Sequence, residues 1–285
     1  MTSPNYLAKK FDIRLKKQLG QNFLSDPSTA NMIVERSGIT GNDTILEIGP
    51  GFGALTIPAA KTARKVFAIE KDREVIPVLE SELSANYLEN VTILHQSILS
   101  ADIESLARKE NCTFIVLGNL PYNISSQILI QLMSSRSVIS RAVLMFQKEL
   151  AQRIVSPPSC KDYGRLSVML QYLADIKTVA RIKAHLFTPK PKVDSVVIEI
   201  EFKPEIQNPA TSELFLFQVI KAGFGKRRKN LKNALSDSEL KVDTETILIA
   251  LEQSGIVPIR RAETLTVQEF VMLSNCLYNL VQNAV

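Results

Sequence analysis

Residues 44–53 read TILEIGPGFG, an apolar run that is followed at once by three alternating glycines. The run predicts a buried β-strand over residues 44–48, and a helix is expected to begin at about Ala54. Glycines at such a turn let the chain bend tightly and let a ligand approach the backbone. The segment therefore predicts a Rossmann-like sheet with a nucleotide-containing cofactor at the strand end. A purely structural turn and an NAD site remain alternatives.

Further apolar runs along the chain extend this sheet. Strands are predicted at 65–69, 91–94, 113–117 and 142–146, and helices at 27–37, 72–85 and 125–133. Continuous apolar runs are typical of parallel strands that are buried on both faces, and their alternation with helices predicts a doubly wound α/β sheet. Residues 193–202 alternate between apolar and polar side chains, which predicts an added antiparallel strand.

The chain changes character after this strand. Residues 205–212 are polar and resemble a linker, and from Glu213 onward the pattern is helical and poor in strands. A length of 285 residues suits one large domain and one small domain. We therefore expect an α/β domain over residues 1–207, with a basic N-terminal arm, and a small all-α domain over residues 208–285.

Composition narrows the classes of function. A net charge of +5 favours a polyanionic partner. No apolar run approaches the roughly 20 residues that span a bilayer, and residues 1–7 lack the apolar core of a secretory signal. Three scattered cysteines and two distant histidines offer neither a disulfide framework nor a metal site. We expect a cytoplasmic protein with no membrane association and no metal.

The glycine segment and two later strand ends indicate which cofactor binds. The spacing E-x-G-x-G-x-G from Glu47 to Gly53 resembles the loop of class I S-adenosylmethionine methyltransferases, whereas dinucleotide sites read G-x-G-x-x-G. Glu70 ends the second strand of the sheet, where a carboxylate can accept both ribose hydroxyls of an adenosine. Ser97 follows the third strand, where many methyltransferases have a carboxylate that accepts a hydrogen bond from the adenine amine of the cofactor. The Ser97 hydroxyl can accept the same hydrogen bond, but more weakly.

The sequence Asn119-Leu-Pro-Tyr122 after the fourth strand is the most specific feature of the chain. It resembles the [D/N]-[P/L]-P-[Y/F] motif of methyltransferases that act on a conjugated amine. The Asn119 side chain and the Leu120 backbone carbonyl can accept the two amine hydrogens and stabilise the positive charge that develops on nitrogen. Pro121 fixes the loop, and Tyr122 offers an aromatic face for an extruded base.

Two rival chemistries fit this chain less well. Methylation of a ring carbon requires a cysteine nucleophile, usually beside a proline, and neither Cys112 nor Cys160 fits that pattern. Hydride transfer requires a proton relay near a nicotinamide, and none is evident in the sequence. The motif therefore favours methylation of an adenine amine.

Four motifs together resemble one family, the ribosomal RNA small-subunit adenine dimethyltransferases, or KsgA/RsmA family. They are residues 17–24 (KQLGQNFL), 47–53, 119–122 and 187–195 (FTPKPKVDS), and the resemblance runs from about residue 16 to the C-terminus. It implies S-adenosylmethionine as the cofactor. It also implies that the product is N6,N6-dimethyladenosine at two adjacent adenines near the 3′ end of 16S rRNA in the small ribosomal subunit.

The resemblance also implies roles for individual residues. The cofactor set is Asn22, Leu24, Gly49, Gly51, Glu70, Ser97 and Asn119. Asn119, Leu120, Tyr122 and Phe187 form the catalytic set, in which Phe187 stacks on the target adenine opposite Tyr122. Six of the twelve residues from 221 to 232 are basic; such runs are usually just solvated, but here Arg227, Arg228 and Lys229 are expected to contact RNA phosphates.

Two alternative functions stay open at this point. An Erm-type dimethyltransferase, which acts on 23S rRNA, shares nearly all the catalytic motifs, although the long C-terminal domain with Arg227 and Arg228 favours the small-subunit enzyme. A ribosome-assembly factor whose methylation is secondary is the second alternative. We expect a monomer.

Overall fold

The computed structural model describes residues 2–13, 20–226 and 228–282, which form two compact units. The first unit comprises Met1–Ala151 and Asp175–Phe202, and the second comprises Gln152–Ala174 and Lys203–Val285. The predicted boundary after residue 207 falls close to the junction at Phe202. The structure nevertheless groups Gln152–Ala174 with the second unit, whereas the sequence predicted one continuous domain over 1–207.

The described part of the chain contains nine strands. They are β1 (Phe23–Leu24), β2 (Thr44–Ile48), β3 (Lys65–Glu70), β4 (Val91–His95), β5 (Phe114–Asn119), β6 (Ile139–Gln147), β7 (Ala174–Ile182), β8 (Phe187–Thr188) and β9 (Ser195–Phe202). Seven of them form the main sheet in the order β4-β3-β2-β5-β6-β9-β7, and β1 pairs with β8 in a separate antiparallel ribbon.

The main sheet has the doubly wound arrangement that the sequence predicts. Strand β2 pairs in parallel with both β3 and β5, β3 pairs in parallel with β4, and β5 pairs in parallel with β6. Strand β9 lies antiparallel to β6, which confirms the predicted added strand. Because successive strands are laid down on opposite sides of β2, a crevice opens beyond the carboxyl ends of β2 and β5, where ligands bind in such sheets.

Burial explains which strands the sequence revealed. All five residues of β2 are buried, so the strand appears in the sequence as an unbroken run. Strand β7 lies at the edge of the sheet and more than half of its residues are not fully buried. Because an edge strand needs no continuous apolar run, the polar sequence of β7 did not predict a strand.

Helices of the described residues cover both faces of this sheet and form the second unit. They are α1 (Pro4–Lys10), α2 (Pro27–Arg36), α3 (Thr56–Thr62), α4 (Ile76–Ala85), α5 (Ile103–Glu110), α6 (Ser125–Ser134), α7 (Lys148–Val155), α8 (Arg165–Leu173), α9 (Glu213–Gly225), α10 (Leu231–Ser236), α11 (Thr244–Gln253) and α12 (Val267–Gln282). Over the described ranges, every helix is too short or too polar to cross a bilayer.

The ends of α2 show how local chemistry sets these boundaries. The Asp26 carboxylate accepts a hydrogen bond from the Thr29 N–H at 2.8 Å, and Pro27 occupies the first turn. The chain leaves the helix at Gly38, whose φ of +62° is accessible to glycine without a steric penalty. Helix α4 begins at Ile76 and not at residue 72 as expected, because the Asp72 carboxylate accepts the Glu74 N–H and holds a turn there.

Aromatic packing holds the second unit together. Phe224 on α9 stacks on Phe270 of α12, with ring centroids 5.7 Å apart, and Tyr163 meets Phe224 edge-on at 6.1 Å. Phe270 and Tyr163 are almost completely buried. Aromatic contacts of this kind bury large apolar areas, so this unit has its own hydrophobic core.

Candidate active site

A pocket lies in the first unit at the carboxyl ends of β2, β3 and β5. It brings together segments that are far apart in sequence: residues 20–24, the glycine turn, the end of β3, residues 96–98 and the loop after β5. The predicted site residues that line it are Asn22, Leu24, Gly49, Gly51, Glu70, Ser97, Asn119, Leu120 and Tyr122. The pocket therefore contains every residue of the predicted cofactor set.

The glycine turn has a backbone that only glycine adopts easily. Gly49, Gly51 and Gly53 have φ angles of +67°, +55° and +86°. A Cβ atom on Gly51 would lie 2.9 Å from the ring of Phe23, whereas a Cβ on Gly49 would meet no atom within 4 Å. Gly49 thus leaves open space, while Gly51 lets residue 23 lie directly against the turn.

Phe23 fastens the N-terminal segment to this turn. Its ring stacks on Phe52 with centroids 4.2 Å apart and planes only 5° from parallel. The neighbouring Gln21 donates its side-chain N–H to the Asp72 carboxylate at 2.8 Å. Residues 20–24 are consequently held as one wall of the pocket by contacts to two different loops.

Two buried carboxylates line the pocket. Glu70 accepts the Asp72 N–H at 2.8 Å and the Gly51 N–H at 3.4 Å, and burial raises its pKa. Each carboxylate oxygen has two lone pairs, so Glu70 retains acceptor capacity after these two bonds. Glu47 is only 1% exposed, and its Oε2 atom has no hydrogen-bond partner among the described residues. Burial raises the pKa of Glu47 to about 8.

The loop after β5 is fixed at three points. The Asn119 side-chain N–H donates to the backbone carbonyl of Asn22 at 2.7 Å. The Tyr122 hydroxyl bonds with the hydroxyl of Ser195 at 2.8 Å, and the Ser125 hydroxyl donates to the Pro121 carbonyl at 2.8 Å. Because the nitrogen of the Asn119 amide is already bonded, its oxygen is the atom that remains as an acceptor for a ligand.

Ser97 contributes a hydroxyl that is already in use. It accepts the Leu99 N–H at 3.3 Å and caps a short 3-10 turn over Ile98–Ser100. The nearby Asp102 caps α5 by accepting the Ser105 N–H and does not line the pocket. A hydroxyl oxygen has two lone pairs, so Ser97 can still accept one bond from a ligand.

Phe187 does not lie in the pocket. Its side chain is only 3% exposed and belongs to the hydrophobic core of the first unit. Pairing of β8 with β1 sets Phe187 opposite Leu24 and directs its ring into that core. The structure thus places the Phe187 ring in the core and not among the residues that line the pocket. Its role in stacking on the target adenine stays a prediction.

The chain matches a known protein family and named relatives over nearly its whole length. The family described as ribosomal RNA adenine dimethylase matches residues 13–277. This chain belongs to that family. It is 51% identical over 280 residues to ribosomal RNA small subunit methyltransferase A of Desulforapulum autotrophicum, covering 98% of both chains. It is 37% identical over 275 residues to the protein of that name from Clostridium botulinum, covering 96% of this chain and 98% of that one.

Two solved methyltransferase structures share the fold of this chain. A dimethyladenosine transferase from Plasmodium falciparum aligns with a TM-score of 0.76 at 23% identity, over 92% of this chain and 98% of that chain. The 23S rRNA methyltransferase ErmE aligns with a TM-score of 0.68 at 25% identity, over 90% of this chain and all of that one. These likenesses confirm the class I methyltransferase fold that the sequence predicted.

The basic segment of this family member carries paired charges. Arg227 lies outside the described residues, and Arg228 and Lys229 are exposed. Lys229 forms an ion pair with Asp237, and Lys226 reaches the same carboxylate at 3.1 Å. The structure therefore places exposed cations where the sequence predicted them, together with an acid that the sequence analysis had not considered.

Glu47 is the site residue that sequence reasoning missed in this family member. Its position, an ionisable side chain inside an otherwise apolar strand that leads into the glycine turn, was visible in the sequence. Burial of a carboxylate with one oxygen atom left without a partner costs free energy. Such a residue in a central strand is therefore itself a signal of a functional site.

Proposed function

We propose that this chain transfers methyl groups from S-adenosylmethionine to N6 of two adjacent adenines in a 3′-terminal hairpin of 16S rRNA, giving N6,N6-dimethyladenosine. One observation carries the proposal: Asn119 stands in the pocket with its amide nitrogen bonded to the Asn22 carbonyl and its oxygen left as an acceptor. Membership of the adenine dimethylase family and the names of its small-subunit relatives support the substrate.

The pocket fits S-adenosylmethionine. When bound, this cofactor supplies a methyl group on a positively charged sulfur, which makes the methyl electrophilic. Glu70 would accept the ribose hydroxyls, and Asn22, Leu24 and Gly49 would line the methionine side. The buried Oε2 atom of Glu47 supports this fit, because no donor among the described residues reaches it and a ligand could supply one.

Two remaining residues complete the cofactor set. The lack of a side chain on Gly51 lets the wall of residues 20–24 lie close to the turn. Ser97 would accept the adenine amine of the cofactor through the capacity that its hydroxyl retains. Because a hydroxyl is a weaker acceptor than a carboxylate, we expect Ser97 to contribute less to binding than Glu70 does.

The target amine would be held by two acceptors. The Asn119 side-chain oxygen and the Leu120 backbone carbonyl accept the two N–H groups of adenine N6. This arrangement draws the nitrogen lone pair out of conjugation and stabilises the positive charge that develops on nitrogen during alkylation. The methylated ammonium is acidic and releases its proton to water, so the site requires no strong base.

The bond between Asn119 and Asn22 explains why an amide suits this position. The amide nitrogen donates to the Asn22 carbonyl, which fixes the oxygen on the opposite side, toward the pocket. An aspartate in its place would set a carboxylate oxygen against the same carbonyl. The half-buried ring of Tyr122 lies on the same loop and would stack on the base that leaves the RNA helix.

The RNA backbone would meet the second unit. Arg228, Lys229 and, outside the described residues, Arg227 are expected to contact phosphates. Such contacts position the RNA and do not read its sequence. Specificity would arise from the shape of the hairpin and from bases that are already unstacked in its loop. We further propose that the chain acts as a monomer in the cytoplasm.

One experiment tests reaction, cofactor and substrate together. The protein is incubated with tritiated S-adenosylmethionine and small ribosomal subunits from a strain that lacks the modification, and the labelled nucleoside is identified after digestion. Dimethyladenosine in the small-subunit RNA supports the proposal. A parallel incubation with large subunits tests the alternative, because label in large-subunit RNA and none in small-subunit RNA would identify an Erm-type enzyme.

Absence of label would have a different meaning if the protein still binds small subunits. It would indicate a ribosome-assembly factor without catalysis. The Asn119→Ala variant sharpens this comparison, because we expect it to bind subunits without methylating them. Full rescue of subunit maturation by that variant in a deletion strain would favour the assembly role.

A further inference from the structure

The hydroxyl of Tyr122 is held by a residue that does not line the pocket. Its oxygen lies 2.8 Å from the hydroxyl oxygen of Ser195. Ser195 is the first residue of β9 and is 0% exposed, whereas Tyr122 is half-buried and lines the pocket. The bond therefore ties the far end of an active-site ring to a fixed point of the sheet behind it.

The strand that carries Ser195 is itself held at both sides. Ser195 is opposite Gln147 in the antiparallel pairing of β9 with β6. The preceding Asp194 accepts the Lys148 N–H on its backbone carbonyl at 3.0 Å and the Ala184 N–H on its carboxylate at 2.9 Å. Ser195 is therefore fixed independently of the loop that carries Tyr122.

A tether at the hydroxyl restricts the ring in a way that packing alone does not. The loop of residues 119–122 sets where the Cα atom of Tyr122 lies, but rotation about the two side-chain bonds can swing the ring. The hydroxyl oxygen lies on the axis of the second of these bonds, so a hydrogen bond there fixes rotation about the first bond, which sets where the ring lies. Burial raises the pKa of Tyr122, so the hydroxyl stays protonated and able to take part in this bond near neutral pH.

We infer that Ser195 is a positioning residue for methyl transfer: through its hydroxyl it sets the position of the Tyr122 ring, and so the position of the adenine that stacks on it. This inference rests on the proposed role of Tyr122 as the stacking face. Displacing a reacting atom by about 1 Å slows a reaction markedly. A ring free to swing would hold the adenine amine less often against the acceptors of the loop.

A double-mutant cycle tests the inference. Four proteins are compared: the unchanged chain, Ser195→Ala, Tyr122→Phe and the double variant. For each protein, kcat and KM are measured on small subunits that lack the modification. Cofactor affinity is measured by calorimetry, and the melting temperature is determined as well. Because both hydroxyls belong to one bond, we expect each single change to lower kcat roughly three- to ten-fold. The double change should lower it no further.

Ser37→Ala is a matched control. Ser37 is also buried, its hydroxyl donates to the Val34 carbonyl, and it does not line the pocket. The same substitution there should lower the melting temperature without changing kcat. Cofactor affinity should be unchanged in all five proteins, because neither hydroxyl is needed for the cofactor set.

Three results would overturn the inference. Ser195→Ala could lower the melting temperature and leave kcat unchanged, which would show a merely structural bond. The effects of Ser195→Ala and Tyr122→Phe could add in the double variant, which would show that the hydroxyls act separately. In either case the unchanged chain still methylates adenine, so the proposed function stands. Failure of the unchanged chain to methylate would overturn both. If Ser195→Ala does not fold, Tyr122→Phe removes the same bond from the other side.

Discussion

The pocket and the basic segment hold their functional side chains by opposite means. In the pocket, Asn119 and Tyr122 are each fixed by a hydrogen bond to a residue distant in sequence, and both partners are at least half-buried. In the basic segment, Lys226 and Lys229 share the carboxylate of Asp237 on an exposed surface. Exposed ion pairs contribute little free energy to stability, and salt screens them. We therefore expect the chemistry to depend on a few fixed atoms of the pocket, and the attraction of RNA to be spread over many exposed charges.

The largest effect should come from the pocket atom with the most direct role. Asn119→Ala removes one of the two acceptors for the target amine, and we expect kcat to fall by roughly 10²–10³-fold, the loss typical of a preorganised polar group. The measurement is methyl incorporation into small subunits at saturating cofactor. Asn119→Asp keeps the size but loses the donor to the Asn22 carbonyl, and we expect an intermediate loss.

A result in which Asn119→Ala retains more than a tenth of the wild-type kcat would break the comparison. It would mean that the Leu120 carbonyl alone is a sufficient acceptor for the target amine. The pocket would then tolerate the loss of one polar group, as an exposed charged surface does. Subunit binding should be unchanged in both variants, because Asn119 is not among the residues expected to contact phosphates.

Glu47 gives the stability of the first unit a dependence on pH that follows from burial. Desolvation raises its pKa from 4.5 to about 8 in the folded protein. Below pH 4.5 both the folded and the unfolded chain hold the proton; between 4.5 and about 8 only the folded chain holds it. The contribution of Glu47 to stability is therefore complete at low pH and is lost as pH rises toward 8.

Glu47→Gln removes this dependence because glutamine cannot ionise. We expect the free energy of unfolding of the variant, relative to the unchanged chain without cofactor, to rise between pH 5 and pH 8. Each unit of pKa difference is worth about 1.4 kcal/mol, so the rise should exceed about 1 kcal/mol. Urea denaturation at several pH values measures it. Parallel curves for the two proteins would contradict an elevated pKa for Glu47.

Gly51 tests how tightly the wall of residues 20–24 is held. A Cβ at this position would lie 2.9 Å from the Phe23 ring, and the φ angle of +55° is itself unfavourable for alanine. Gly51→Ala should weaken cofactor binding in calorimetry and lower the melting temperature. We expect a total cost of about 1–3 kcal/mol.

Gly255→Ala separates strain from collision. Gly255 has a φ angle of +68°, and a Cβ there would meet no atom within 4 Å. This substitution in the second unit measures the backbone strain alone, which should be smaller. Equal destabilisation by the two substitutions would show that the contact between the added Cβ atom at residue 51 and the Phe23 ring costs no free energy.

The sequence predicted elements that depend on local pattern and failed where distant contacts decide. Strand β2 was predicted with its observed bounds, because five buried residues give one apolar run and glycine ends it. The burial of Phe187 was not predicted, because its pairing partner Leu24 lies in a motif far away along the chain. Proline neighbours suggest a loop but do not determine which way a ring points.

The pocket residues show the same division. The cofactor set could be named because glycine turns and strand-end acids have a fixed place in a doubly wound sheet. The hydrogen bonds that orient Asn119 and Tyr122 could not be predicted from the sequence, because Asn22 and Ser195 reach these residues only after the chain has folded. The chemistry of the reaction determines which residue types line the pocket, whereas the tertiary structure determines which residues hold them by hydrogen bonds.

The smallest effect is expected in the basic segment. Asp237 pairs with both Lys226 and Lys229, so we expect it to compete with RNA phosphates for these cations. Asp237→Asn should free them and tighten the binding of RNA by a few-fold at low salt, while Lys229→Gln should weaken it by a similar factor. Filter binding of a small-subunit hairpin RNA over a series of salt concentrations measures both.

The salt series supplies the decisive comparison. Because released counterions set the slope of log affinity against log salt, adding a free cation should steepen the slope, by an amount that approaches one phosphate contact. Glu239→Gln is the matched control: Glu239 pairs with Lys221 at 2.5 Å, outside the set of residues expected to contact RNA. If Asp237→Asn and Glu239→Gln change affinity and slope equally, only net charge matters and Lys229 has no special place. If Asp237→Asn alone changes the slope, the segment contains one defined phosphate contact and resembles the pocket more closely than its exposed ion pairs suggest.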